Sequence, residues 1–183
     1  MKNVIVRTSM IAGFAAMTAA AASAQTTVAL PNQTQTTTMN ANVSEQARVT
    51  VPASVTFNVT NTSAATGATA SITVENIALA SATKQLQISV AANATGFTPS
   101  VPGSATWASS DVSWVAHPFS NAGVGTAGAL AGIGTYNVVQ TCAVDVSECS
   151  TTTLPFSLAA KPGVKNSGNH SLIVTWKFAS IGS

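Results

Sequence analysis

Cys142 and Cys149, in the stretch "TCAVDVSECS", are the only two cysteines of the 183-residue chain. Two thiols this close either join as a disulfide or hold a metal. A structural metal site needs about four ligands. The only histidines, His117 and His170, are distant in sequence, and no third ligand stands near the pair. In a chain that carries an export leader (below), two neighbouring cysteines predict a disulfide. Asp145 and Glu148 lie inside that short loop. Two carboxylates fall short of the six to eight oxygens a calcium ion takes, so the loop reads as solvated and disulfide-tied.

Three other groups of residues could carry chemistry. Gly123, Gly125 and Gly128 in "GVGTAG" spell a dinucleotide-binding motif, with Asp145 about 20 residues on. That motif works only between a strand and a helix, where the pyrophosphate meets the helix N-terminus. Neither flank fits here, so the glycines read as a loop. His117 with Asp111 and the many serines could suggest a hydrolase, but no GxSxG elbow occurs and no positioned base can be named. Trp107, Trp114 and Trp176 could stack on sugar rings. Trp107 lies in loop-like surroundings and is the candidate ligand contact, whereas Trp176 belongs to a strand. Catalytic, cofactor-binding and metal-ligating residues are therefore none, and the chain reads as no enzyme.

The elements that would position these residues are strands. "SVTFNVT" at 54–60 alternates without a fault, with Val55, Phe57 and Val59 on one face. "TASITVENIAL" at 69–79 alternates until the phase slips at Asn76-Ile77, as a bulge makes it do. "QLQISVAA" at 85–92 alternates through Leu86, Ile88 and Val90. "RVTV" at 48–51, "DVSWVA" at 111–116, "YNVVQT" at 136–141 and "TLPFSLAA" at 153–160 are shorter candidates. The stretch 93–134 is irregular, rich in Pro and Gly. The clearest strand comes last: at 171–179, Leu172, Val174, Trp176 and Phe178 share one face. About eight short strands and no amphipathic helix predict an all-β, antiparallel immunoglobulin-like β-sandwich, with a jelly-roll as the alternative.

Residues 1–24 combine Lys2 and Arg7, an Ala-rich apolar stretch and Ala22-Ser23-Ala24. This is the pattern of a bacterial signal peptide cut before Gln25, which places the protein in the periplasm, at the cell surface or outside the cell. Its apolar stretch is too short to span a membrane. A polar, Thr-rich arm follows at 25–44, and the sandwich domain occupies 45–183. The arm's one apolar patch, Val28-Ala29-Leu30, is cut off by Pro31. Beyond residue 24, five basic and five acidic side chains remain, so the formal charge there is 5 − 5 = 0. Only 7% of the chain is charged, against about 25% in ordinary globular proteins. Nothing here neutralises a row of phosphates, so nucleic acid is excluded as a partner. Weak repulsion between copies favours self-association.

The leader, the Thr-rich arm, the short alternating strands and the terminal strand 171–179 together resemble bacterial pilin-type and other surface β-sandwich proteins. The resemblance implies a non-enzymatic structural or assembly protein of the cell surface, a filament or pilus-like subunit or a surface component. Its partners would be further copies or a surface protein. The alternative is a secreted module that binds a glycan or other ligand through Trp107 and the 93–134 loops. Two features depart from chaperone–usher pilins. The cysteines sit late and close together, and the arm has few apolar residues for a donated strand. Leu172, Val174, Trp176 and Phe178 carry too much apolar surface for a free strand, at about 2 kcal/mol per buried side chain. The terminal strand is therefore expected to complete the protein's own sandwich.

Overall fold

The structure, a computed structural model, describes residues 37–121 and 123–182. The expected signal peptide, 1–24, and most of the expected arm, 25–44, lie outside the described residues. Contacts divide the chain into two units, Met1–Asn40 and Ala41–Ser183. The described residues of the first, 37–40, are exposed and belong to no helix or strand. The second is an all-β sandwich.

Its strands are β1 (Gln46–Thr50), β2 (Thr66–Ala78), β3 (Gln85–Ala92), β4 (Val112–Trp114), β5 (Val124–Gly125), β6 (Gly128–Ala129), β7 (Asn137–Thr141), β8 (Thr151–Leu158) and β9 (Val174–Ile181). A single 3-10 turn, Ser109–Asp111, leads into β4. One sheet runs β1-β2-β8-β4-β6 and the other β5-β7-β3-β9, with every pairing antiparallel. Alternation explains most of this. Ile72 and Val74 of β2, Ile88 and Val90 of β3, and Leu154, Phe156 and Leu158 of β8 are buried between the sheets. The phase slip expected at Asn76-Ile77 is a bulge. Gln46 pairs with Ala78 but Arg48 with Glu75, so β2 spends three residues where β1 spends two. Asn76 takes φ +52° to do it, a region that Asn tolerates better than most residues.

The strand order has a gap. In a seven-stranded immunoglobulin-type sandwich, strands A-B-E-D form one sheet and C-F-G the other. Here β1-β2-β8-β4 follow A-B-E-D in both space and sequence, and β3-β9 follow C-F. The segment β5–β7 is inserted between the fourth and fifth of these. β9 takes the place of F, and among the described residues nothing pairs with its other edge, where G belongs.

The stretch 54–60 corrects the sequence reading. Its faces alternate as expected, with Val55, Phe57 and Val59 half-buried and Ser54, Thr56, Asn58 and Thr60 exposed. Yet among the described residues no strand pairs with it. A backbone bond within it is local, from the Val59 amide to the Phe57 carbonyl at 3.1 Å. Alternation reports which side chains touch the core and says nothing of where the backbone groups go.

Candidate functional site

The open side of the sandwich lies between this unpaired stretch and β9. The Glu45 carboxylate meets the Ser180 hydroxyl at 3.2 Å, so the first segment and the last strand converge at that pole. Beyond that contact no hydrogen bond among the described residues joins the two segments up to the other pole, where the Lys161 amide donates to the Thr62 carbonyl at 2.6 Å. The space between is a groove of about 1130 Å³. Val51–Val59 form one wall, and Leu172, Val174 and Trp176 the other. Val90, Trp107, Val112, Phe156 and Leu158 supply its floor, and Asn166–His170 its polar rim at the wide end.

The terminal strand belongs to the protein's own sandwich, and its core-facing side chains are only partly covered. It pairs with β3 along all eight residues, Gln85↔Ile181 through Ala92↔Val174. Trp176, Phe178 and Leu172 pack against the core but stay only partly buried. Val174 is 37% exposed, and Leu172 lies just outside β9. This face looks into the groove, and among the described residues no strand lies beyond it.

Trp107 is a correction of a different kind. It sits in an irregular stretch, but only 5% of it is exposed. Its indole N–H donates to the Ala159 carbonyl at 2.9 Å. The bridge Gly96↔Ala108 folds the loop over it. Its ring meets Phe97 and His170 edge to face, at 6.3 and 5.4 Å between centroids. A ring held this way helps floor the groove and offers no open platform for a sugar. What sequence reasoning missed was the groove itself, since a missing neighbour leaves no local signature.

The wide end of the groove is stitched together by polar contacts. His170 Nδ1 lies 2.9 Å from Thr106 Oγ1, and Nε2 lies 3.2 Å from the Asn166 carbonyl. The Ser100 hydroxyl donates to the Ser167 carbonyl at 2.8 Å. Nearby, the Lys161 ammonium meets the Asp111 carboxylate at 2.6 Å, and the Ala108 amide donates to the same oxygen at 2.8 Å. Partial burial would raise the Asp111 pKa, but Lys161 and the Ala108 N–H outweigh it and hold it below the usual value. At the narrow end, the Ala80 N–H first and Lys84 next lower the Glu45 pKa.

The remaining candidates fall elsewhere. Cys142 and Cys149 form the expected disulfide, with Cα atoms 6.0 Å apart and both side chains buried. Their amides donate to Leu86 of β3 and Val74 of β2, so the bridge ties one sheet to the other. Asp111 is engaged by Lys161, while His117 contacts Thr153 Oγ1 at 3.1 Å. The two do not form a relay. The glycines serve packing: a Cβ at Gly123 would collide with the Thr141 carbonyl, and one at Gly128 would lie 2.8 Å from the Trp114 ring. Among the described residues no His, Cys, Asp and Glu cluster could hold a metal, and no helix is long and apolar enough to cross a membrane. No protein-family model, curated protein or solved structure matches the chain.

Proposed function

We propose that the protein is an exported, non-enzymatic assembly subunit of a bacterial surface structure, and that its groove receives an extended strand from another copy. The single observation that carries this reading is the unpaired edge of β9 beside a groove floored by the sandwich core. A free edge offers a row of backbone donors and acceptors, and adding a strand is the way such edges bind. The guest would stand where strand G of an immunoglobulin-type sandwich stands.

The Thr-rich stretch 25–44 of a second copy is the favoured guest. It spans roughly 65 Å when extended, at about 3.3 Å per residue, ample for a groove walled by residues 51–62. Its few apolar residues weigh against it on sequence alone. The groove changes that weighing. Its walls mix Val51, Val55 and Val174 with Ser54, Thr56, Asn61 and Asn169. A β-branched, hydroxyl-rich strand with Val28 and Leu30 as anchors suits such walls.

Polarity supports a filament. A guest antiparallel to β9 would point its C-terminal end toward the wide pole, and its own sandwich would follow there. Each copy's first strand begins at the narrow pole, beside Ser180. Donor and acceptor therefore lie at opposite poles, which gives a heterologous contact that does not close.

Electron microscopy and size-exclusion chromatography of the chain lacking residues 1–24 test the reading. Linear polymers are expected, and deletion of residues 25–40 should leave folded monomers. Polymers that survive the deletion would exclude the arm as guest. A full-length protein that stays monomeric at high concentration would sink the assembly function.

A further inference from the structure

Glu45 is the last residue before β1, on the edge of one sheet. Its Oε1 collects three groups from elsewhere: the Ala80 amide at 2.8 Å, the Lys84 ammonium at 3.0 Å and the Ser180 hydroxyl at 3.2 Å. Ala80 and Lys84 belong to the connection that carries the chain from one sheet to the other, and Ser180 belongs to β9, the edge of the second sheet. The carboxylate therefore spans the open side of the sandwich. The groove begins just beyond it, at Val51 on one wall and Trp176 on the other.

We propose that Glu45 is a positioning residue for the groove, a tie that holds the two sheet edges together at its narrow end. Among the described residues no strand ladder joins these two edges. β9 has its ladder to β3 and the packing of Trp176 on Phe156, and the tie adds a direct link from its Ser180 end to the segment that leads into β1. An ionised carboxylate shared by three donors is a fastening of modest strength where it is open to water, and it links β9 to the opposite sheet edge at the Ser180 end. A guest strand then meets walls whose separation is already set at one end. The consequence for docking rests on the strand-acceptor reading, but the tie itself does not.

The test is made on the monomer lacking residues 25–40, with no guest present. Nitroxides at Asn58→Cys and Lys177→Cys, one beside each wall, report the separation by pulsed electron resonance. Glu45→Ala should shift the distance distribution to longer values and broaden it. Glu45→Gln, which keeps an acceptor for the Ala80 amide but loses the attraction to Lys84, should give a smaller shift in the same direction. Glu148→Gln alters a surface carboxylate that accepts from Asn121, away from the groove, and should leave the distribution unchanged. An unchanged distribution in both Glu45 variants would overturn the proposal, as would an equal shift in Glu148→Gln. Should Glu45→Ala fail to fold, Glu45→Gln reads the same quantity. A groove that shifts while no strand ever docks would leave the tie standing and fail only the assembly reading.

Discussion

Trp176 on β9 and Phe156 on β8 meet edge to face across the two sheets, with ring centroids 6.4 Å apart. Phe156 also meets Trp114 at 6.0 Å, so three rings form a chain through the sandwich. This contact holds the edge strand β9 against the opposite sheet where no further strand confines it. Removing a buried Trp or Phe side chain costs about 3–5 kcal/mol. Phe156 is buried and Trp176 only partly so. Phe156→Ala should therefore lose about 3–5 kcal/mol and Trp176→Ala about 2–3 kcal/mol by the same reasoning. A double-mutant cycle in urea should return a coupling of about 1 kcal/mol, the usual worth of an aromatic pair beyond its buried area.

The disulfide makes a second prediction. Residues 142 and 149 enclose a short loop, and chain entropy assigns such a bridge roughly 2–3 kcal/mol. The double variant Cys142→Ser with Cys149→Ser should fold with that loss, measured by thermal or urea unfolding. Both cysteines are fully buried and their amides reach opposite sheets. Dithiothreitol should therefore reduce the native protein slowly, and reduction should accelerate under mild denaturant.

Some of this was legible in the residues and some was not. β3 was readable because Leu86, Ile88 and Val90 alternate and both neighbours of the strand are present. The bulge at Asn76 was readable as a break in phase. The stretch 54–60 alternates as well as any strand in the chain, yet it has no partner, because side-chain burial and backbone pairing are separate requirements. The burial of Trp107 was not legible, because irregular backbone carries no period and the Gly96↔Ala108 bridge that folds over it is a long-range pairing. β5 and β6, two residues each, are too short to carry any period. The groove depends on which strand is missing from the end of a sheet. Order in space is set by long-range pairing, which no window of sequence contains.

Asp111 gives a prediction in pH. Its carboxyl is held below its ordinary value, because Lys161 and the Ala108 N–H outweigh the effect of burial. A depressed folded pKa adds stability that is present above the unfolded pKa, near 4, and is lost as pH falls through the folded value. Melting temperatures recorded from pH 7 to 2 should fall on the acid side of about 4. Asp111→Asn should start lower and show a shallower acid limb. A pair this open to water contributes under about 1 kcal/mol, so the difference between the two curves will be small. Parallel curves would show that Asp111 takes no part in acid unfolding.

Val174 separates folding from docking. It lines the groove on β9 and is 37% exposed. Val174→Lys places a charge where a guest strand would bury it, while in the monomer the ammonium can reach water. Surface substitutions of this kind usually change stability by less than about 0.5 kcal/mol. The variant should melt close to the parent and fail to bind a synthetic peptide of residues 25–40. Unchanged peptide binding would remove the groove from the assembly reading.

The last prediction supplies the missing strand within one chain. β9 ends at Ile181 beside the narrow pole, and Gly182 follows with φ +90°, a conformation suited to a reversal. A second copy of residues 25–40, appended after Ser183 through a short Asn-Gly turn, would run back along the free edge of β9 toward the wide pole. That is the antiparallel direction proposed for the guest from another copy. The fusion should also omit the original residues 1–40, so that no free arm remains. Covering Val28 and Leu30 should contribute about 3 kcal/mol, allowing for their incomplete burial. At about 2–4 °C per kcal/mol for a domain of this size, the melting temperature should rise by roughly 10 °C. The fused protein should stay monomeric, and amides of Val174–Ile181 should gain protection from hydrogen exchange. A fusion in which Val28 and Leu30 are both changed to Asp should lose the gain. If the unaltered fusion melts no higher than the parent, the groove does not accept this strand, and the guest must be sought in another sequence.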